Sequence, residues 1–288
     1  MTSLRYEIVD VFTDRPFTGN PLAVVLDADD LDKSQMQAIA REFRFSETSF
    51  VVTPSEGADY RIRIFTPAEE LPFAGHPSVG SAATLVRLGR AEPGELVQEC
   101  GAGLLPVTAT DTAATLTGGE PYLGPELDPA PMLAALGLSD ADYVGPPPRE
   151  AGCGIAFPYL AVRSEALQRI TPDATRLREL GDHGISVVAW DAERSTAHCR
   201  VFVDGLPDLE DPATGSAALG LGVWLVGSGL LPGQGTSHYT VRQGAELHRP
   251  STLECSVTAQ GGTAVRVTVS GRVVAIASGE ITVPPFVG

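Results

Sequence analysis

The sequence predicts an α+β fold made of two similar halves, each wrapping strands around one buried apolar helix. Three observations carry this reading: a segment repeats about half a chain apart, each copy holds a helix of small apolar residues, and short β-rich runs flank both. His76-Pro77-Ser78-Val79-Gly80-Ser81-Ala82-Ala83 aligns without gaps on Asp211-Pro212-Ala213-Thr214-Gly215-Ser216-Ala217-Ala218, a spacing of 135 residues in a chain of 288. Upstream, Arg63-Ile64-Phe65 matches Arg200-Val201-Phe202. Downstream, each helix ends at glycine (Gly89; Gly227 and Gly229), and a strand and a Gly-Ala turn follow, Gly101-Ala102 and Gly244-Ala245. A four-residue match is cheap in an Ala/Gly-rich chain. The shared order of strand, loop, proline, Gly-Ser-Ala-Ala, helix and strand is not, and it marks a duplication.

The elements follow in chain order. Residues 6–12 alternate as a strand, and the Gly19-Asn20-Pro21 turn leads into a buried run over 22–26. Asp32 to Phe43 places Met36, Ile39, Ala40 and Phe43 at helical spacing, an amphipathic helix. Strands are expected over 48–53 and 60–65, then a loop from Thr66 to Pro77, then a helix over 79–88. The join between halves is expected near Gly118–Pro131, and Gly145-Pro146-Pro147-Pro148 reads as an internal loop. The second apolar helix starts near Ala217; a segment apolar all round must be buried, and its run to Leu231 is too short and too glycine-rich to span a bilayer.

Composition narrows the function. The net charge of −16 repels phosphate backbones and anionic lipid, so neither nucleic acid nor a membrane is an expected partner. Lys33 is the only lysine, and it sits in the polar stretch Asp29-Asp30-Leu31-Asp32-Lys33. A pyridoxal-phosphate Schiff base needs a buried lysine, and a phosphate-cradling loop needs Gly-Lys-Ser/Thr; both chemistries are set aside. No G-x-G-x-x-G follows a strand, and His76, His183, His198, His238 and His248 show no zinc-ligand spacing. Cys100, Cys153, Cys199 and Cys255 are widely spaced, with no C-x-x-C pair, and read as buried thiols of a reduced cytoplasmic protein. The charged N-terminus lacks the apolar run of a signal peptide.

The repeated turn has two readings. Proline after Asp or His marks a helix start, with Asp211 as a good N-cap and His76 a poor one. Alternatively, two buried helices present free N–H groups and positive dipole ends that hold an anionic substrate such as a carboxylate without any lysine. Gly80 and Gly215 would then admit the ligand, Ser81 and Ser216 would add hydroxyl donors, and His76 and Asp211 would form a titratable pair. Glu47, in Phe45-Ser46-Glu47-Thr48-Ser49-Phe50, is a turn carboxylate on the bland reading. On the sharper one, its apolar neighbours raise its pKa toward that of a general acid/base.

These residues also carry a family signature. Gly19-Asn20-Pro21-Leu22-Ala23-Val24, Ser46-Glu47-Thr48-Ser49-Phe50, Arg63-Ile64-Phe65-Thr66-Pro67, Glu70-Leu71-Pro72-Phe73-Ala74-Gly75-His76-Pro77 and Glu210-Asp211-Pro212-Ala213-Thr214-Gly215-Ser216-Ala217 resemble the PhzF phenazine-biosynthesis family, which shares the diaminopimelate epimerase fold. The resemblance implies two pseudo-symmetric domains, each a curved, mostly antiparallel sheet around a central helix. It implies a cofactor-free, metal-free isomerase, usually a homodimer, with its site between the halves. The expected division is 1–122, with 279–288 returning to it, and 123–278. Carried over by motif, Glu47 is the acid/base that moves a hydrogen on a small cyclic amino acid such as trans-2,3-dihydro-3-hydroxyanthranilate. His76 and Asp211 orient the substrate and support proton transfer, while Asn20, Ser46, Gly75, Gly215 and Ser216 line the pocket.

Epimerases of this fold place two cysteines in the facing loops, where this chain has His76 and Asp211. Two-base thiol epimerisation is therefore not expected. The competing readings are an epimerase using Asp211 or His76 as its second base, and a non-catalytic binder of small anions.

Overall fold

A computed structural model describes residues 2–181, 184–204, 206 and 209–285; His183 lies outside the described residues. The chain divides into two compact units, Met1–Thr117 with Ser270–Gly288, and Gly118–Val269. These divisions come several residues before the expected 122/123 and 278/279. The second falls inside one unbroken strand, Thr263–Thr282, so no loop or composition change marks it.

In the first unit, β1 (Ser3–Val11) pairs antiparallel with β2 (Asn20–Val25). Helix α1 (Lys33–Phe43) opens on a capping box: Gln35 N–H donates to Asp32 Oδ1 at 2.9 Å, and Asp32 N–H donates to Gln35 Oε1 at 3.1 Å. Its apolar stripe, Met36, Ile39 and Ala40, buries against Val25, Phe50 and Phe65. β3 (Thr48–Val52) runs parallel to β2, β4 (Tyr60–Phe65) antiparallel to β3, and β5 (Glu70–Leu71) folds back on the end of β4. After α2 (Gly75–Arg87), β6 (Gly94–Cys100) lies parallel to β4 and continues into the antiparallel β7 (Gly103–Ala109) and β8 (Ala113–Thr117). Gly75 through Leu85 of α2 are all buried, packed against β1, β2, β7 and β8.

In the second unit, β9 (Tyr122–Glu126) leads to α3 (Pro129–Ala135) and a single helical turn at Asp140–Asp142. β10 (Arg149–Gly152) joins β9 to β11 (Ala156–Ala161) in antiparallel pairs. The short helices α4 (Ser164–Leu167) and α5 (Ala174–Glu179) precede β12 (Ile185–Asp191), which is parallel to β11, and β13 (Thr196–Phe202) and β14 (Glu210–Asp211) follow as antiparallel partners. Leu133, Leu136, Leu167 and Leu177 of the short-helix layer bury against Leu160, Val187 and Phe202. The long apolar helix α6 (Gly215–Gly227) is buried from Gly215 to Val226. β15 (Gly235–Gln243), parallel to β13, and its antiparallel partner β16 (Ser251–Gln260) follow, then β17 (Thr263–Thr282), whose far half pairs with β1 in the first unit. Each unit thus combines parallel and antiparallel strand pairs. Among the described residues no helix is long and apolar enough to cross a membrane.

The two units correspond element by element, but in a different register from the one expected. Phe65 pairs with Glu70 across β4 and β5, as Phe202 pairs with Glu210 across β13 and β14. Arg63 grips Glu70 through two N–H bonds of 2.7 and 2.9 Å, and Arg200 grips Glu210 at 2.9 and 2.6 Å. Each guanidinium also lies over the following phenylalanine, 5.3 Å from the Phe65 ring centre and 4.9 Å from that of Phe202. Both buried helices have 13 residues, and each hands over to a left-handed glycine, Gly89 at φ 67° and Gly229 at φ 70°. Glu70, Pro72, Gly75 and Gly80 therefore match Glu210, Pro212, Gly215 and Gly220. His76 corresponds to Ser216, and Asp211 to Leu71. The linker before the glutamate is longer in the second unit (203–209 against 66–69), and this displaces the register.

Both helix starts move accordingly. α2 begins at Gly75 rather than at residue 79, so His76 and Pro77 lie in its first turn. Proline is tolerated there because its missing N–H would have no partner within the helix. α6 begins at Gly215 with Thr214 as its N-cap residue, so Asp211 is not the cap but part of β14, opposite Val201. Gly80 and Ser81 are not at a helix end. A Cβ on Gly80 would come within 2.6 Å of Leu22 and 2.8 Å of Val11, so that glycine serves close helix–strand packing instead of a ligand.

Candidate active site

Four of the expected site residues converge in the first unit, brought together by the parallel pair β2 and β3. Parallel strands start at the same edge, and the register Ala23↔Thr48 sets Asn20 beside the segment entering β3. Asn20 follows Gly19, whose φ of +72° and close approach to the Val11 carbonyl and Thr13 exclude any side chain. Ser46 and Glu47 follow Arg44, which ends α1 in the left-handed conformation at φ 57°. His76 reaches the same edge from the first turn of α2, which also packs on β2 and β3.

The side chains form a continuous set of contacts. Ser46 Oγ donates to Asn20 Oδ1 at 3.2 Å, leaving Asn20 Nδ2 to point at His76 Nδ1 at 3.5 Å. His76 Nδ1 lies 3.4 Å from Glu47 Oε2. Asn20 and His76 are buried, and Glu47 keeps 17% of its side-chain surface. Burial withholds water from the Glu47 carboxyl and outweighs the Ser46 hydroxyl beside it, pushing its pKa up to about 7. Glu47 Oε2 finds no hydrogen-bond donor among the described residues. A carboxyl poised at neutrality, with one oxygen uncommitted and an imidazole nitrogen alongside, can take up and return a proton.

The first turn of α2 is held from behind by a buried relay. Tyr60 Oη donates to Gln98 Oε1 at 3.0 Å, Gln98 Nε2 to Ser78 Oγ at 2.9 Å, and Ser78 Oγ to the Ala74 carbonyl at 2.9 Å. Neither Tyr60 nor Gln98 stands out in the sequence, because the contacts join residues on three separate elements.

Gly75 opens α2 in the first unit, and the remaining expected residues lie in the second. Asp211 ends β14, Gly215 and Ser216 open α6, and all three are buried. Thr214 Oγ1 donates to Asp211 Oδ2 at 2.6 Å. The tyrosines Tyr159 and Tyr239 donate to the Ala217 and Ala218 carbonyls at 2.6 and 2.7 Å, fixing the first turns of α6. All four cysteines are buried free thiols, and burial pushes Cys153 up to about 12, the behaviour of core residues rather than of proton carriers. Among the described residues, no three His, Cys, Asp or Glu side chains are grouped as metal ligands.

Residues 9–279 match the family model of the phenazine biosynthesis-like proteins, PhzC-PhzF. The chain belongs to this family. An isomerase of Mesorhizobium japonicum, named as uncharacterized, is 38% identical over 98% of this chain and 99% of its own. The trans-2,3-dihydro-3-hydroxyanthranilate isomerase of Pseudomonas aeruginosa is 34% identical over 96% of this chain and 98% of its own. The crystal structure of a PhzF-family protein from Bacillus anthracis superposes with a TM-score of 0.87 at 26% identity, covering 98% of this chain and all of that one. This member of the phenazine biosynthesis-like family is accordingly an isomerase.

Proposed function

We propose that this chain moves a proton on a small cyclic amino or carboxylic acid without a cofactor, with Glu47 as the single acid/base. The observation that carries the reading is Glu47 itself, mostly buried, raised to about 7 and 3.4 Å from His76 Nδ1. The ionised carboxylate takes the hydrogen from ring C3 of a trans-2,3-dihydro-3-hydroxyanthranilate-like substrate. The same carboxyl returns a proton to the far end of the diene on the same face, and the resulting enol becomes the ketone. His76 and Asp211 orient the substrate and support the transfer. By the family resemblance, Asn20, Ser46, Gly75, Gly215 and Ser216 are the residues that bind the substrate, and the N–H groups of a helix's first turn suit a carboxylate. The family resemblance also makes a homodimer the expected assembly, which sedimentation of the purified protein tests.

The deciding experiment is proton NMR of wild type and Glu47→Gln with trans-2,3-dihydro-3-hydroxyanthranilate in deuterated water. Wild type should lose the C3 hydrogen signal and form a ketone. Glu47→Gln should bind the compound and turn it over about 10²–10⁴-fold more slowly, the usual worth of a positioned acid/base. A near-wild-type rate in Glu47→Gln would remove the glutamate from the mechanism. No turnover by either protein would place the substrate elsewhere.

A further inference from the structure

Gln243, the last residue of β15, is buried, and its side-chain amide is spent on one turn. Its Nε2 donates to the Asp211 carbonyl at 2.7 Å and to Thr214 Oγ1 at 3.0 Å, and its Oε1 accepts the Thr214 N–H at 3.2 Å. The next residue, Gly244, packs so closely that a Cβ there would lie 2.5 Å from the Pro212 carbonyl.

Chemistry fixes the direction of each bond. An amide nitrogen only donates and a carbonyl oxygen only accepts. Turning the Gln243 amide over would set oxygen against the Asp211 carbonyl and N–H against the Thr214 N–H, so one orientation alone fits. The Thr214 hydroxyl has a single hydrogen. Because its oxygen already accepts from Gln243 Nε2, that hydrogen goes to Asp211 Oδ2, 2.6 Å away. The adjacent carboxylate, Glu210, is closed off by the two N–H groups of Arg200.

We infer that Gln243 is a positioning residue for Asp211: through Thr214 it aims a hydroxyl donor at the carboxyl, and through the Asp211 carbonyl it holds the backbone behind it. Its importance to turnover rests on Asp211 belonging to the site, as proposed above; the positioning itself does not.

The near-isosteric Gln243→Glu replaces the donor with an acceptor that competes for the Thr214 hydrogen. Carbon-13 NMR of the carboxyl groups, with the Asp211 signal assigned by its loss in Asp211→Asn, follows the titration directly. Relative to wild type, the Asp211 midpoint should rise by about one pH unit in Gln243→Glu and in Thr214→Val, a tenfold change in proton affinity. If the effect passes through the hydroxyl, the Gln243→Glu rise should be at least halved in a Thr214→Val background. An unchanged Asp211 midpoint in Gln243→Glu, or an undiminished rise in that background, overturns the inference. Should Gln243→Glu not fold, an unchanged midpoint in Thr214→Val overturns it equally. Turnover of trans-2,3-dihydro-3-hydroxyanthranilate, measured alongside, should fall at least tenfold in Gln243→Glu. If the midpoint moves as expected while wild type turns nothing over, the substrate reading fails and the positioning stands.

Discussion

Glu47 Oε2 and His76 Nδ1 stand 3.4 Å apart, both withdrawn from water. Burial keeps a proton on the Glu47 carboxyl up to about pH 7. A base must be ionised to begin the reaction. The expected pH profile of kcat/KM therefore rises from pH 6 to pH 8 with a midpoint near 7. A rate that stays flat from pH 5.5 to 8.5 would show that another group removes the hydrogen.

The same carboxyl weakens the fold. Its pKa lies near 7 in the folded protein and near 4.5 in the unfolded chain, so the folded state binds more protons between these values. Stability is thus highest below pH 4.5 as far as this group is concerned, falls as pH rises through the window, and levels off above 7. The full loss is about 3 kcal/mol at most. Glu47→Gln lacks this charge and should be more stable than wild type at pH 8, with the advantage shrinking at pH 5. Urea unfolding of both proteins at the two pH values measures it.

The paired arginines differ in exposure, and their removal should differ in cost. Arg200 and Glu210 keep 10% and 2% of their side-chain surface, against 25% and 23% for Arg63 and Glu70. Arg200→Met strands a buried carboxylate and should cost about 3–5 kcal/mol. Arg63→Met should cost about 1 kcal/mol, since water can reach Glu70. Comparable thermal shifts in the two variants would contradict the distinction.

Gly80→Ala should destabilise by about 1–3 kcal/mol, because the added methyl meets Leu22 and Val11 inside a packed core. Gly57→Ala serves as the contrast. That position is open, and only its φ of +91° opposes a side chain, so the cost should be about 1 kcal/mol. Chemical denaturation ranks the two.

Much of the first unit was legible because its signals are local. The helical spacing of Met36, Ile39, Ala40 and Phe43 places α1 within one residue of its expected start. The set Asn20, Ser46, Glu47 and His76 followed from motif resemblance, and the structure brings these four together. The register of the repeat was misjudged for a physical reason. Matching Gly-Ser-Ala-Ala rewards small residues that any buried helix uses, whereas the true anchors are Glu70 and Glu210, each fixed by an arginine on the preceding strand. Gln243 gave no signal, since two of its bonds go to backbone atoms far away in sequence.

β17 leaves the second unit at Val269 and spends its remaining length beside β1, from Val273 opposite Val11 to Thr282 opposite Ser3. β1 is therefore translated before the whole second unit, and this partner after it. While the second unit is being made, β1 presents an unpaired edge on that side. The second unit, contiguous in sequence, can close on its own contacts while the first still waits. In this chain the half that carries Glu47 is begun before the other half and completed after it.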